Sequence, residues 1–262
     1  MDKEIFTAVI LTALGVGGAT IVGAVIGFIF KKISHKFSDI VLSFAAGVML
    51  AAAVLGLVLP ALEHGDGKWT DLLIVVLGIF AGAVVLDLID KLVPHLHKLA
   101  GKEPDLHSDC GRTKNEKASK VLLFVLAIAI HNLPEGIAAG VGFGTGNTTD
   151  ALLLAAGIAL QNIPEGMVIV APMLASGISP KRTFLYASLT GFIEVVGTFI
   201  GFFAVSVASA ILPFALAFAG GTMLYVISDE MIPETHAHGS EKGATYALLF
   251  GFCLMLGFDF LL

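Results

Sequence analysis

Two six-residue stretches carry the side chains best suited to chemistry: His131-Asn132-Leu133-Pro134-Glu135-Gly136 and Gln161-Asn162-Ile163-Pro164-Glu165-Gly166. On a helix, His131 and Glu135 are four residues apart and Asn132 and Glu135 three apart, so all three share a face. Gln161, Asn162 and Glu165 repeat the arrangement in the second copy. An imidazole nitrogen beside carboxylate and amide oxygens suits zinc or a similar borderline divalent ion. A hard cation would take a site built of oxygen alone. Each proline lacks an N–H and clashes with the carbonyl four residues back, which frees the oxygens of Ile130 and Leu160. The glycines that follow add flexibility and let a neighbouring backbone come close.

Glu135, Glu165 and a third carboxylate, Glu194, all fall well inside apolar stretches. An ionised carboxylate at mid-membrane costs about 2.5–3.5 kcal/mol on insertion scales, so it faces a partner or a watery path. No Lys or Arg stands near these three within their spans, which leaves a bound cation or protons to neutralise them. Repeated, Pro- and Gly-interrupted segments in the middle of apolar spans point to a transport site near the bilayer midplane. The bland reading, carboxyls protonated and hydrogen-bonded between helices, suits a lone residue better than two matched copies.

The elements that hold these residues follow from composition. Of 262 residues, 56% are hydrophobic and 14% charged, against about a quarter charged in a soluble domain. A membrane helix needs about 20 apolar residues, and eight such spans are predicted, at 5–30, 38–62, 72–97, 119–142, 151–176, 183–209, 213–234 and 243–262. Only helices or closed barrels satisfy the backbone in lipid, and barrel alternation is absent, so one all-α bundle is expected. The first span is too long for a signal-peptide core and is expected to remain in the mature protein.

Basic residues alternate between the breaks. Lys31, Lys32 and Lys36 follow the first span, Lys91 to Lys120 surround the third break, Lys181 and Arg182 mark the fifth, and Lys242 marks the seventh. Cytoplasmic loops retain such residues, which predicts both termini outside. The outer break after the second span, with Glu63, His64, Asp66 and Asp71 around Lys68, offers negative potential to a cation or is an ordinary solvated loop. The longest break, 98–118, reads as a cytoplasmic linker. Its His107 and Cys110 could bind a metal, but two scattered ligands are more often exposed loop residues. Cys110 and Cys253 suggest no disulfide. Runs such as Gly15-Val16-Gly17-Gly18 and Ala81-Gly82-Ala83 read as helix-packing surfaces.

Near the cytoplasmic face, the third span ends in Asp90-Lys91-Leu92-Val93-Pro94-His95-Leu96-His97, and the seventh in Asp229-Glu230-Met231-Ile232-Pro233-Glu234-Thr235-His236-Ala237-His238. Either could relay a metal outward or be a solvated helix end, and Asp87 has the spacing to pair with Lys91. Met49 is a soft thioether that could face the path or simply pack.

Together these residues resemble the ZIP family of metal transporters, in its prokaryotic branch. The resemblance rests on the two motifs, the eight spans, the basic loop after the third span, and Glu194. It implies a single transporter domain over 1–262 in a 3+2+3 helix arrangement, with a two-metal centre on the fourth and fifth helices. By resemblance, His131, Glu135, Gln161 and Glu165 form one site. Asn132, Glu135, Asn162, Glu165 and Glu194 form its neighbour, with the two glutamates bridging. Met49 would line the path, Glu63 the outer mouth, and Asp90, His95, His97, Asp229 and Glu230 the inner exit. Asn162 stands where some relatives carry aspartate, and Asp229 where some carry histidine, so a mononuclear and a binuclear centre both stay open.

The implied activity is transport of divalent transition metals toward the cytoplasm by alternating access. Zinc is first, with cadmium, iron and manganese as other substrates. No cofactor beyond the transported metal is expected, the partners are metal ions and lipid and not nucleic acid, and the residence is the plasma (inner) membrane. Pairing with a second copy is left open. Two other readings use the same residues: an intramembrane metal-dependent hydrolase, and a proton-coupled transporter of a small organic solute. The hydrolase lacks an H-E-x-x-H motif and a spare general base. The solute carrier does not account for the amide-flanked His/Glu spacing, so a non-enzymatic metal carrier is expected.

Overall fold

The computed structural model describes residues 3–30, 34–64, 67–92, 129–175, 177–207 and 209–261. Eight helices run through them: α1 (Lys3–Ile29), α2 (His35–Glu63), α3 (Trp69–Leu92), α4 (129–141), α5 (Thr148–Ala175), α6 (Pro180–Val207), α7 (Leu212–Thr235) and α8 (Glu241–Leu261). All but α4 are long and apolar enough, as described, to cross a membrane. The chain is an all-helical, multi-pass membrane protein, as the composition requires. His95, His97, His107, Cys110 and the 98–118 linker lie outside the described residues, as does the side chain of Asp90.

Local chemistry fixes the helix ends. The Ser34 hydroxyl accepts the Phe37 N–H at 3.3 Å to cap α2. Between α4 and α5, Gly146 turns the chain at φ +80°, and Asn147 Oδ1 accepts the Thr149 N–H at 3.0 Å to start α5. Both α2 and α7 carry a π turn, Val54–Val58 and Ile227–Met231, each ending two residues before a proline, Pro60 and Pro233. The carbonyl that each proline would strike, four residues back at Gly56 and Asp229, lies within the widened turn.

In lipid, helices associate through close packing rather than through expulsion of water, and here glycine permits it. On α4 and α6, two G-x-x-x-G faces meet. A Cβ at Gly136 would lie 2.2 Å from the Glu194 carbonyl oxygen and one at Gly140 2.0 Å from that of Thr198. In return, Gly197 and Gly201 press on the carbonyls of Leu133 and Ile137. Gly23 and Gly166 join α1 to α5 in the same reciprocal way, and Gly17 and Gly191 join α1 to α6. A second set links α2 to α8 through Gly47 and Gly251, and α3 to α7 through Gly82 and Gly221.

These backbone contacts tie α1, α4, α5 and α6 into one block and leave two pairs, α2/α8 and α3/α7, which meet where Gly220 of α7 lies against Val58 and the Ala53 carbonyl of α2 to make a second block. Where the blocks face each other, Gly56 meets the end of Leu154 and Gly157 the end of Met255, both side chains. The seam between α2 and α5 is filled by small and apolar residues including Met49, Ala52, Leu57, Leu154 and Ile158. Met49 is only 1% exposed and packs in this seam. Leu77 and Phe80 of α3 and Phe250 of α8 are exposed, as lipid-facing positions require.

Candidate metal centre

Both motifs lie in the first block, one on α4 and one on α5, and their glycines set the depth at which they sit. Gly136 rests on the backbone of Glu194, and Gly166 on that of Thr20, where an added Cβ would lie 2.1 Å from the carbonyl oxygen. The polar side chains of each motif are thereby brought against α6 and α1.

The centre has two parts. In the first, Glu135 and Gln161 are buried and Glu165 is half-buried. Glu135 lies within electrostatic reach of Glu165 and Glu194, and Glu165 of His131. Glu135 Oε2, Glu165 Oε1 and both terminal atoms of Gln161 are buried without an aligned hydrogen bond among the described residues. Buried polar atoms are nearly always satisfied, so such a group calls for an explanation. His131 points its Nε2 to within 2.8 Å of Glu230 Oε1, outside hydrogen-bond alignment. Glu230 sits in the π turn of α7, so this contact crosses from one block to the other.

The second part is a closed hydrogen-bond cluster on Glu194, which is fully buried. Its Oε1 accepts the Thr20 hydroxyl at 2.6 Å and also the Asn132 amide. Its Oε2 accepts the Asn162 amide at 2.6 Å, and the same nitrogen reaches the Val16 carbonyl at 3.3 Å. Four helices of the first block meet on one carboxylate.

Among the described residues, no three His, Cys, Asp or Glu side chains stand together as a complete ligand set. The donors present are two carboxylates and an imidazole with neutral amides among them, a mixture that fits a borderline divalent cation better than a hard one.

Other expected positions are spread along the chain. Glu63 is exposed at the end of α2. Asp229 is exposed, whereas its neighbour Glu230 turns inward to His131. Asp87 pairs with Lys91 at 2.6 Å and lies 3.4 Å from the Tyr225 hydroxyl.

Sequence reasoning missed Thr20, because a threonine in an apolar helix is indistinguishable from a packing residue until its neighbour is known. It also missed Asp39, 2% exposed in α2, whose Oδ1 lies 3.1 Å from His238 Nδ1. A lone carboxylate in the first turns of an apolar span was the available signal.

The family model described as ZIP zinc transporter matches residues 97–259. The chain is 41% identical to zinc transporter GufA of Myxococcus xanthus, over 95% of this chain and 97% of that protein. It is 33% identical to zinc transporter ZIP11 of Homo sapiens, over 92% and 93%. Zinc transporter ZupT of Chlorobaculum parvum is 35% identical, over 97% of each chain. Both motifs, Glu194, helices α4 to α7 and all but the last two residues of α8 fall within the matched region, and the relatives align along nearly the whole chain: this protein belongs to the ZIP zinc transporter family.

Proposed function

We propose that this protein carries divalent transition-metal cations, zinc first, across the plasma membrane toward the cytoplasm, through a site formed by His131, Glu135, Gln161 and Glu165. The observation that carries the reading is the set of buried donor atoms on Glu135, Gln161 and Glu165 left without aligned hydrogen bonds. A cation bound among them would take oxygens from all three side chains, leave the Gln161 amide nitrogen to donate to Glu135 beside it, and neutralise carboxylates for which the described residues offer no Lys or Arg partner.

Alternating access follows from the two blocks. The ligands all belong to α4 and α5, which are tied to α1 and α6 by backbone contacts. The opposing block meets them through side-chain ends, a surface that can re-form in a second register at lower cost than a glycine-locked one. The His131–Glu230 contact spans the moving surface, so binding of a metal by His131 would release Glu230 and loosen the two blocks.

The test is zinc uptake into liposomes containing the purified protein, beside a Glu135→Ala, Glu165→Ala double variant. Saturable uptake is expected from the native chain and none from the variant. Equal uptake by both would reject the site. The absence of zinc, cadmium, iron and manganese uptake by folded, inserted protein would reject metal transport.

A further inference from the structure

We infer that Glu194 is the keystone of a hydrogen-bonded clasp rather than a metal ligand, so that the centre of this chain takes one divalent cation and not two. The inference rests on the transport site proposed above and fixes its stoichiometry.

A carboxylate has about four lone-pair positions. On Glu194, three are taken by donors from three other helices: Thr20 of α1, Asn132 of α4 and Asn162 of α5. Both amides present their nitrogens to Glu194, and with the Thr20 hydroxyl they supply three donors, the set that suits an ionised carboxylate. The same orientation turns the asparagines away from ligation, since only their carbonyl oxygens could bind a cation. For a metal to be held by Glu194, Asn132 and Asn162 together, two buried amides would have to turn and give up their bonds to the carboxylate and, for Asn162, to the Val16 carbonyl.

The identity of residue 162 decides the matter. An ionised aspartate there could not donate to Glu194, and it would set two carboxylates against each other in a water-poor setting, an arrangement that calls for a shared proton or a cation between them. Asparagine supplies the donor instead, and Thr20 supplies another. Thr20 is thus a positioning residue: it touches no ligand of the first site but holds Glu194, whose backbone carries Gly136 and with it the α4 motif.

Zinc bound per chain can be measured by equilibrium dialysis and elemental analysis of the full-length protein in detergent. One equivalent is expected for the native chain. Glu194→Gln should also bind one, because its carbonyl can accept from Thr20 and Asn132 while its N–H reaches the Asn162 Oδ1 once that amide flips. Asn162→Asp should gain a second equivalent. Thr20→Val should melt earlier, with or without zinc, while its stoichiometry stays at one.

Two equivalents on the native chain, with one lost in Glu194→Gln, would overturn the clasp and leave the transport site standing. No bound zinc on the native chain would instead overturn the site itself and the clasp's stoichiometry with it. A Thr20→Val variant that melts like the native chain would also overturn the clasp.

Discussion

Gly166→Ala isolates what the motif glycine does. In the native helix pair, an alanine Cβ at this position would stand 2.1 Å from the Thr20 carbonyl oxygen and 3.0 Å from its carbonyl carbon. Both are rigid backbone atoms. Restoring an ordinary contact of 3.4 Å moves α1 away from α5 by about 1.3 Å at that level. The 2.6 Å bond from Thr20 to Glu194 would then stretch past hydrogen-bonding range if the shift falls along it. Overpacking of this kind costs about 1–3 kcal/mol, which for a chain of this size lowers the melting temperature by roughly 2–12 °C. The comparison is Gly15→Ala on α1, where the added Cβ meets nothing within 4 Å. There, helix propensity predicts no loss and up to about 1 kcal/mol of gain. Thermal unfolding of the two variants in detergent, followed by size exclusion after heating, reads the difference, and zinc uptake into liposomes should fall for Gly166→Ala alone. If both variants melt with the native protein and transport equally, close backbone approach is not the reason for glycine at 166.

Two further outcomes follow from polar side-chain contacts in different settings. His238→Ala leaves the Asp39 carboxylate, 2% exposed, without the imidazole 3.1 Å away. An expected loss of about 1–3 kcal/mol should be partly recovered in an Asp39→Asn, His238→Ala double variant, by thermal unfolding. Lys91→Ala removes an i,i+4 partner of Asp87 whose side chain is 67% exposed. Its effect on melting should stay within about 0.5 kcal/mol, and a larger loss would show that the pair does more than decorate the end of α3.

Much of this was legible from residue order because lipid restricts what a chain can do. Eight apolar runs predict eight helices, and the described helices coincide with the expected spans to within a few residues at most ends. The matched motifs marked a candidate site because charge at membrane depth needs a purpose, and Asp87–Lys91 followed from spacing alone. What sequence could not supply was the pairing of helices. That Gly136 faces Glu194, or Gly166 faces Thr20, depends on contacts between residues far apart in the chain. Glu230 illustrates the same limit. Its place beside Asp229 groups the two at an inner exit, yet in the π turn of α7 Asp229 is exposed and Glu230 is directed to His131. Thr20 and Asp39 remained hidden because each acquires meaning only from a partner more than a hundred residues away.

The glycine-locked contacts also bear on how the chain is made. None of those described above joins helices adjacent in sequence: α1 is locked to α5 and α6, α2 to α8, α3 to α7, and α4 to α6. A ribosome delivering the helices in order therefore leaves α1, α2 and α3 in the bilayer with no locked partner until α5 emerges. α2 waits until the final helix arrives. Until α6 emerges the G-x-x-x-G face of α4 has nothing to dock against, and the buried carboxylate of Asp39 waits for His238 beyond α7, so biogenesis depends on whatever shields lone helices at the site of insertion. A chain truncated before α8 would leave the Gly47 surface open in the membrane and should be recognised by quality control rather than persist as a partial transporter.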